Sequence, residues 1–361
     1  MERSVTTKKR IGYIDLAKGF CIILVVLYHV LNHLHVNSEY AYLLSTFRMP
    51  LYFFLSGLFF KEYEGFLGFL IRKINKLLIP FGFFYITTSF LLPNILNIFG
   101  FTVSHTQSLG IQGLWAFIMK EEFANDPIWF LWCLFTINIF FCLCVITVKR
   151  IFVSGTCQAA VLAILCFTIG LVNSMCIASH INILGFVDSA MAALPFFSVG
   201  YIFNQFTDVL HPNTWDKYLP ILIFVCFALT FIFGGRCSYM HNVFHINPFA
   251  QYLCGITGTL FVIFCAKMIR DLPFISYWGR YSIMILVTHG LVLQIVVPLL
   301  RKVHLPIPIS IVLLLGVVMF SYQLLIPLMK KYLPYVTAQK DVIIVSKYLN
   351  NNLNDGKTTF K

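Results

Sequence analysis

Two ionisable side chains on the first apolar stretch are spaced to act together. The segment reads Tyr13-Ile14-Asp15-Leu16-Ala17-Lys18-Gly19-Phe20 and continues through an apolar run to Tyr28-His29. Lys18 and His29 are eleven residues apart. At about 100° per residue that is three turns plus about 20°, so they share one helix face about 16 Å apart along the axis. Asp15 stands one turn before Lys18 and is spaced to pair with it. An imidazole is suited to taking a proton near neutral pH. Taken alone, a histidine on an apolar helix is more often a hydrogen-bonded core residue. Placed deep in a membrane span and aligned with Lys18, it is a candidate for function first.

Three further clusters carry polar groups where lipid is expected. The first is Phe47-Arg48-Met49-Pro50-Leu51-Tyr52-Phe53-Phe54-Leu55-Ser56-Gly57. Ser56-Gly57 lets helix backbones approach closely, and packing explains most of this stretch. Arg48 has two open readings: it snorkels to the interface, or it lines a polar cavity. The second is Arg72-Lys73-Ile74-Asn75-Lys76-Leu77-Leu78-Ile79-Pro80, whose cations serve either headgroup attraction or the cradling of a phosphorylated cofactor. The third is Tyr281-Ser282-Ile283-Met284-Ile285-Leu286-Val287-Thr288-His289. The remaining histidines, such as His33, His105, His180 and His241, fall in or near loops and carry little information. The eleven cysteines follow neither metal spacing nor a secreted disulfide pattern, so no metal is expected.

These residues need helices to hold them. Of 361 residues, 59% are hydrophobic and 11% charged, against about 25% charged in a soluble domain. That excludes an ordinary soluble enzyme, a disordered chain and a nucleic-acid reader with a wet face. Gly19 to Ser38 and Leu77 to Met119 contain no Asp, Glu, Lys or Arg, and a bilayer core needs about 20 apolar residues per helix. The chain reads as an all-α polytopic transmembrane bundle of ten spans: 13–34, 42–60, 76–97, 128–148, 157–177, 189–204, 219–234, 250–268, 281–299 and 308–329. Strands are not expected as spans, because the segments are too long and too evenly apolar for a membrane barrel.

With the amino terminus inside, 21 of the 26 Lys and Arg fall on the inner side, leaving Arg48, Lys120, Arg236, Arg301 and Lys302 outside. That asymmetry predicts both termini in the cytoplasm. The start resembles a signal peptide, but the apolar run is long and lacks a small-residue cleavage site, so a retained first span is expected. The organisation expected is a basic amino-terminal tail (1–12), a membrane domain (13–329) and a cytoplasmic tail (330–361).

The ordered set of motifs resembles the acyltransferase-3 family of integral membrane acyltransferases, especially the branch resembling fucose 4-O-acetylases. The family's basic residue, ten residues, then His is matched by Lys18 and His29. Its Met-Pro-Leu-Phe-Phe-x-x-Ser-Gly stretch is matched by Met49 to Gly57, with Tyr52 at the first Phe position. Its basic pair before Leu-Leu-x-Pro is matched by Lys73 and Lys76 before Leu77-Leu78-Ile79-Pro80. Trp129-Phe130-Leu131, Pro195-Phe196-Phe197-Ser198-Val199-Gly200 and the set Ser282, Ile285 and His289 are similar to later family segments. Lysines replace the more usual arginines at 18, 73 and 76, giving point charges in place of bidentate forks. Arg48 stands where relatives often have His.

The resemblance implies transfer of an acyl group, usually acetyl, from a coenzyme A thioester to a hydroxyl of a cell-surface polysaccharide or its lipid-linked precursor. The setting would be a bacterial inner membrane, with glycan-assembly proteins as possible partners and no nucleic acid. Within it His29 is the expected general base. Lys18, Arg72, Lys73 and Lys76 are expected to bind the coenzyme's phosphates. Asp15, Arg48, Ser56 and His289 are candidate substrate or oxyanion contacts, with Asp15 and Lys18 holding the entrance. The thioester arm is expected to run up the helix-1 face toward His29. The competing reading is a transporter or flippase for small molecules or lipid-linked sugars, which often shows repeated halves and broken helices; neither is evident. A scaffold without chemistry is disfavoured by the intramembrane His29 and the charged pair Asp15 and Lys18.

Overall fold

A computed structural model describes residues 11–36, 39–63, 65–100, 111–119, 125–178, 183–206 and 214–344. The first ten residues, Lys120, His105, His180 and the tail from 345 onward lie outside the described residues, so both expected tails are described only in part. The helices are α1 (Gly12–His33), α2 (Glu39–Leu58), α3 (Gly65–Leu91), α4 (Ile111–Ile118), α5 (Trp129–Ile151), α6 (Gly155–Val172), α7 (Val187–Phe206), α8 (Leu219–Phe233), α9 (Pro248–Ile269), α10 (Pro273–Arg280), α11 (Ser282–Arg301) and α12 (Ile307–Tyr332).

Helices fall on all ten expected spans. Among the described residues, eight helical stretches are long and apolar enough to cross a membrane. The other two, α2 and α7, are the most enclosed by protein. The apolar part of α2, Leu43–Leu58, is short, and α7 is diluted by Asp188, Ser189 and Ser198, all buried. A helix surrounded by other helices need not present an apolar face to lipid. Their contact uses two glycines reciprocally. A methyl group on Gly57 would strike the Phe197 carbonyl, and one on Gly200 would strike the Phe54 carbonyl. Gly19 on α1 and Gly279 on α10 do the same: each would clash with the other helix, at Ile275 and Asp15 respectively.

One sequence expectation needs correction. The third span begins not at 76 but at Gly65, so Arg72, Lys73 and Lys76 lie inside a continuous helix rather than at its mouth. Lys and Arg are good helix formers, and charge ends an apolar window without ending a helix. Within α3 the stretch Ile74–Leu78 widens into a π-turn. The chain also contains strands, outside the spans: β1 (Cys237–Ser238) and β2 (Val243–Phe244) pair antiparallel between α8 and α9. This hairpin is pinned from several sides. Cys237 N–H donates to Ser45 Oγ at 2.9 Å, Ser189 Oγ donates to Met240 O at 3.1 Å, and Asn173 and Asn242 exchange amide hydrogen bonds of 2.8 and 3.2 Å.

Candidate active site

Among the described residues, two of the cavities inside the bundle have α1 residues in their walls. The first, about 180 Å³, is lined by His29, Tyr28 and Asn32 from α1, Arg48 and Met49 from α2, Asp126 and Trp129 at the start of α5, and hairpin residues including Ser238, Tyr239 and His241. The second, about 240 Å³, is lined by Lys18, Tyr52, Ser56, Phe59, Tyr63, Arg72, Lys73, Lys76 and Asn138. Lys18 and His29 each line a cavity, as the shared helix face requires, and the four cations expected to act together occupy one pocket.

The cavities are separate. On α2 Met49 lines the first and Tyr52 the second, one turn away; on α5 Trp129 lines the first and Leu134 the second. Between them the Tyr52 and Phe130 rings meet with centroids 5.5 Å apart. The two linings share no residue, and the Tyr52 and Phe130 rings pack where one gives way to the other. Both residues are less than a tenth exposed.

Around His29 the groups are crowded. Its ring lies 5.3 Å from Tyr28 and 5.0 Å from His289, edge-on in both cases. The Arg48 guanidinium sits 3.9 Å above the Tyr28 ring. Arg48 is buried, and among the described residues its Nε and Nη1 have no hydrogen-bond partner. Of its two readings, lining a polar cavity is the one the structure bears out. Its backbone carbonyl is held by the Cys21 thiol at 3.0 Å.

The other candidate contacts are not all brought together. Ser56 lines the basic cavity, whereas Arg48 lines the one that holds His29. His289 is fully buried behind His29 and lines neither cavity. Asp15 is buried away from both, its carboxylate 3.6 Å from Arg280 Nε on α10.

Several cavity residues were not legible beforehand. Asp126 stands three residues before Trp129-Phe130-Leu131, and that proximity is the available signal. The turn holding it is anchored by Asn125, which donates to Val287 O at 2.8 Å and Thr88 Oγ1 at 3.2 Å. His241 looked like a loop histidine; the hairpin carries it to the cavity wall. Burial pushes the Cys237 thiol up to about 12, with the Thr46 hydroxyl opposing. That cavity-lining sulfur is therefore protonated at neutral pH and a weak nucleophile.

In the basic cavity Arg72 lies 4.5 Å from the Tyr63 ring and Lys18 lies 5.3 Å from Phe59. Lys76 bonds Asp341 and the Ala338 carbonyl, both at 2.9 Å. The neighbouring Asn75 clamps the same tail segment: its Oδ1 accepts from Val342 and Ile343 N–H at 2.9 Å, and its Nδ2 donates to Ile343 O at 2.8 Å. The chain after α12 is thereby strapped to the π-turn that carries Lys76.

A multi-helix membrane protein with a basic pocket at one end and a histidine-lined cavity beyond it is the class this architecture defines. A family model described as an acyltransferase domain, acyltransferase-3, matches residues 11–326. The chain belongs to that family, and is a multi-pass membrane acyltransferase. No curated protein and no solved structure matches it.

Proposed function

We propose that this chain is a membrane O-acyltransferase moving an acyl group, acetyl in the first instance, from an acyl-coenzyme A to a hydroxyl of a cell-surface polysaccharide or its lipid-linked precursor. The observation that carries the reading is the pairing of two cavities along one helix: four cations at one end, and at the other a base beside a guanidinium whose Nε and Nη1 have no hydrogen-bond partner among the described residues. A coenzyme A donor carries phosphates at one end and a thioester at the other, and so needs both. The basic end, with both termini, would face the cytoplasm of a bacterial inner membrane, where the donor is made.

The chemistry follows from the side chains. Lys18, Arg72, Lys73 and Lys76 attract the phosphates as charged donors. The thioester arm passes Tyr52 and Phe130 when those rings turn aside. His29 takes the proton from the acceptor hydroxyl as its oxygen attacks the thioester carbonyl carbon. Negative charge forms on the carbonyl oxygen, and the free Nε and Nη1 of Arg48 are available to bind it. The carbon–sulfur bond breaks, and the thiolate leaves with the proton held by His29. An ester and free coenzyme A result. Asp126, Ser238 and His241 supply polar contacts for a hydroxyl-rich acceptor.

The test is turnover by the purified protein in nanodiscs with labelled acetyl-coenzyme A and a polysaccharide acceptor. Label in the acceptor, matched by release of free thiol, supports the reading. Passage of a sugar or lipid-linked sugar across vesicles with no thiol release would replace it with the transporter.

A further inference from the structure

Resting on that reading, we infer that His289 is a positioning residue for His29, holding one imidazole nitrogen so that the other faces the acceptor hydroxyl. Three observations lead there. His289 is 0% exposed and lines neither of the two cavities described above. Its Nδ1 lies 2.9 Å from the Ile285 carbonyl. A carbonyl only accepts, so Nδ1 carries the hydrogen, and in the neutral ring Nε2 is left as an acceptor. Among the described residues that Nε2 has no hydrogen-bond partner.

A buried acceptor without a donor is costly, and the ring beside it is His29, 5.0 Å between centroids. A small rotation of His29 brings an N–H onto His289 Nε2. The bond fixes the tautomer of His29 and leaves its second nitrogen, on the cavity side, as the proton acceptor. When His29 gains the substrate proton, both of its nitrogens are donors, and His289 continues to hold one of them. The proton then passes from His29 to the leaving sulfur. His289 keeps its own hydrogen on Nδ1 throughout, so nothing is lost or gained at that ring. The arrangement is the base-and-orienter logic of a catalytic triad, with a neutral imidazole as the orienter.

The test compares His289→Leu, which removes the acceptor, with His289→Gln, whose side-chain oxygen reaches the place of Nε2. Leu is expected to lower kcat roughly ten- to a hundredfold, a part of the roughly hundred- to ten-thousandfold that a positioned general base contributes. KM for the donor stays within about twofold, and Gln restores most of kcat. Equal impairment in both variants, accompanied by the same loss of thermal stability, would assign His289 to packing alone; wild-type rates in Leu would remove its role. A second readout does not depend on turnover. The ring ¹⁵N shifts of His29, assigned by their loss in His29→Asn, should report one tautomer in the wild type and a mixture in His289→Leu. Unchanged shifts overturn the inference. Absence of acyl transfer by the wild type, with the tautomer effect intact, would instead overturn the functional reading.

Discussion

Tyr52 and Phe130 meet ring to ring, 5.5 Å between centroids, at the boundary between a pocket of cations and a pocket of histidines. The Tyr52 hydroxyl also reaches the Lys18 carbonyl at 3.5 Å, the outer limit for a hydrogen bond, and bonds the Ser282 side chain as well. Tyr52→Ala should join the cavities and admit water to the thioester. Acetyl-coenzyme A hydrolysis without acceptor is expected to rise severalfold, read as thiol release. An unchanged hydrolysis rate would show that these rings do not control access.

Lys73 and Lys76 are expected to hold donor phosphates. A hydrogen bond to a charged group contributes about 1.5–3 kcal/mol, so Lys73→Ala with Lys76→Ala should weaken donor binding roughly tenfold to a hundredfold in a thioester titration. An unaltered affinity, with reduced attachment to anionic lipid instead, would assign these cations to the bilayer surface.

Lys76 is shared with Asp341 at 2.9 Å, and both side chains are nearly half exposed. Solvent makes such a pair weak, but it competes with a phosphate for the same ammonium. Asp341→Asn should tighten donor binding by a few-fold, and weaker binding would mean that the strap holds the pocket open instead of screening it.

Much of this arrangement was legible from the sequence, and the reasons differ by feature. The ten helices follow from apolar runs of bilayer length, a signal that survives without any tertiary information. The shared face of Lys18 and His29 follows from helical period. The start of α3 was placed late, because Arg72, Lys73 and Lys76 interrupt the apolar run while the backbone continues through them as helix. Nothing in the sequence announced the hairpin at 237–244, whose two-residue strands are too short for an alternating pattern and hold their place through Ser45, Ser189 and Asn173 on distant helices. The neighbourhood of His289 and His29 is likewise long-range, set by how α11 packs on α1. Ser56 and Arg48 look adjacent along one motif, yet two turns of helix and the Tyr52 ring put them in different cavities.

Gly57 and Gly200 let α2 and α7 touch through their backbones, and α2 positions Arg48, Tyr52 and Ser56. Gly57→Val or Gly200→Val should force the helices apart, at a cost of about 1–3 kcal/mol typical of overpacking. The loss should appear as a lower unfolding temperature in detergent together with lower turnover. Full stability in both variants would mean that the helices separate freely.

Cys237 lines the same cavity as His29 and Arg48, yet its thiol is protonated at neutral pH. A covalent acyl-thiol route through it is therefore disfavoured. Cys237→Ala should retain at least half of wild-type turnover, measured at saturating donor. A loss comparable to that of the His29 variants would move the nucleophile onto this sulfur.

The central claim is that one imidazole removes the proton from the attacking hydroxyl. Single-turnover acyl transfer by His29→Gln in nanodiscs, with donor affinity measured on the same sample, tests it most directly. The rate should fall roughly a hundred- to ten-thousandfold, the scale of a positioned general base, while donor affinity and unfolding temperature stay at wild-type values. Transfer at the wild-type rate by that variant would contradict the account.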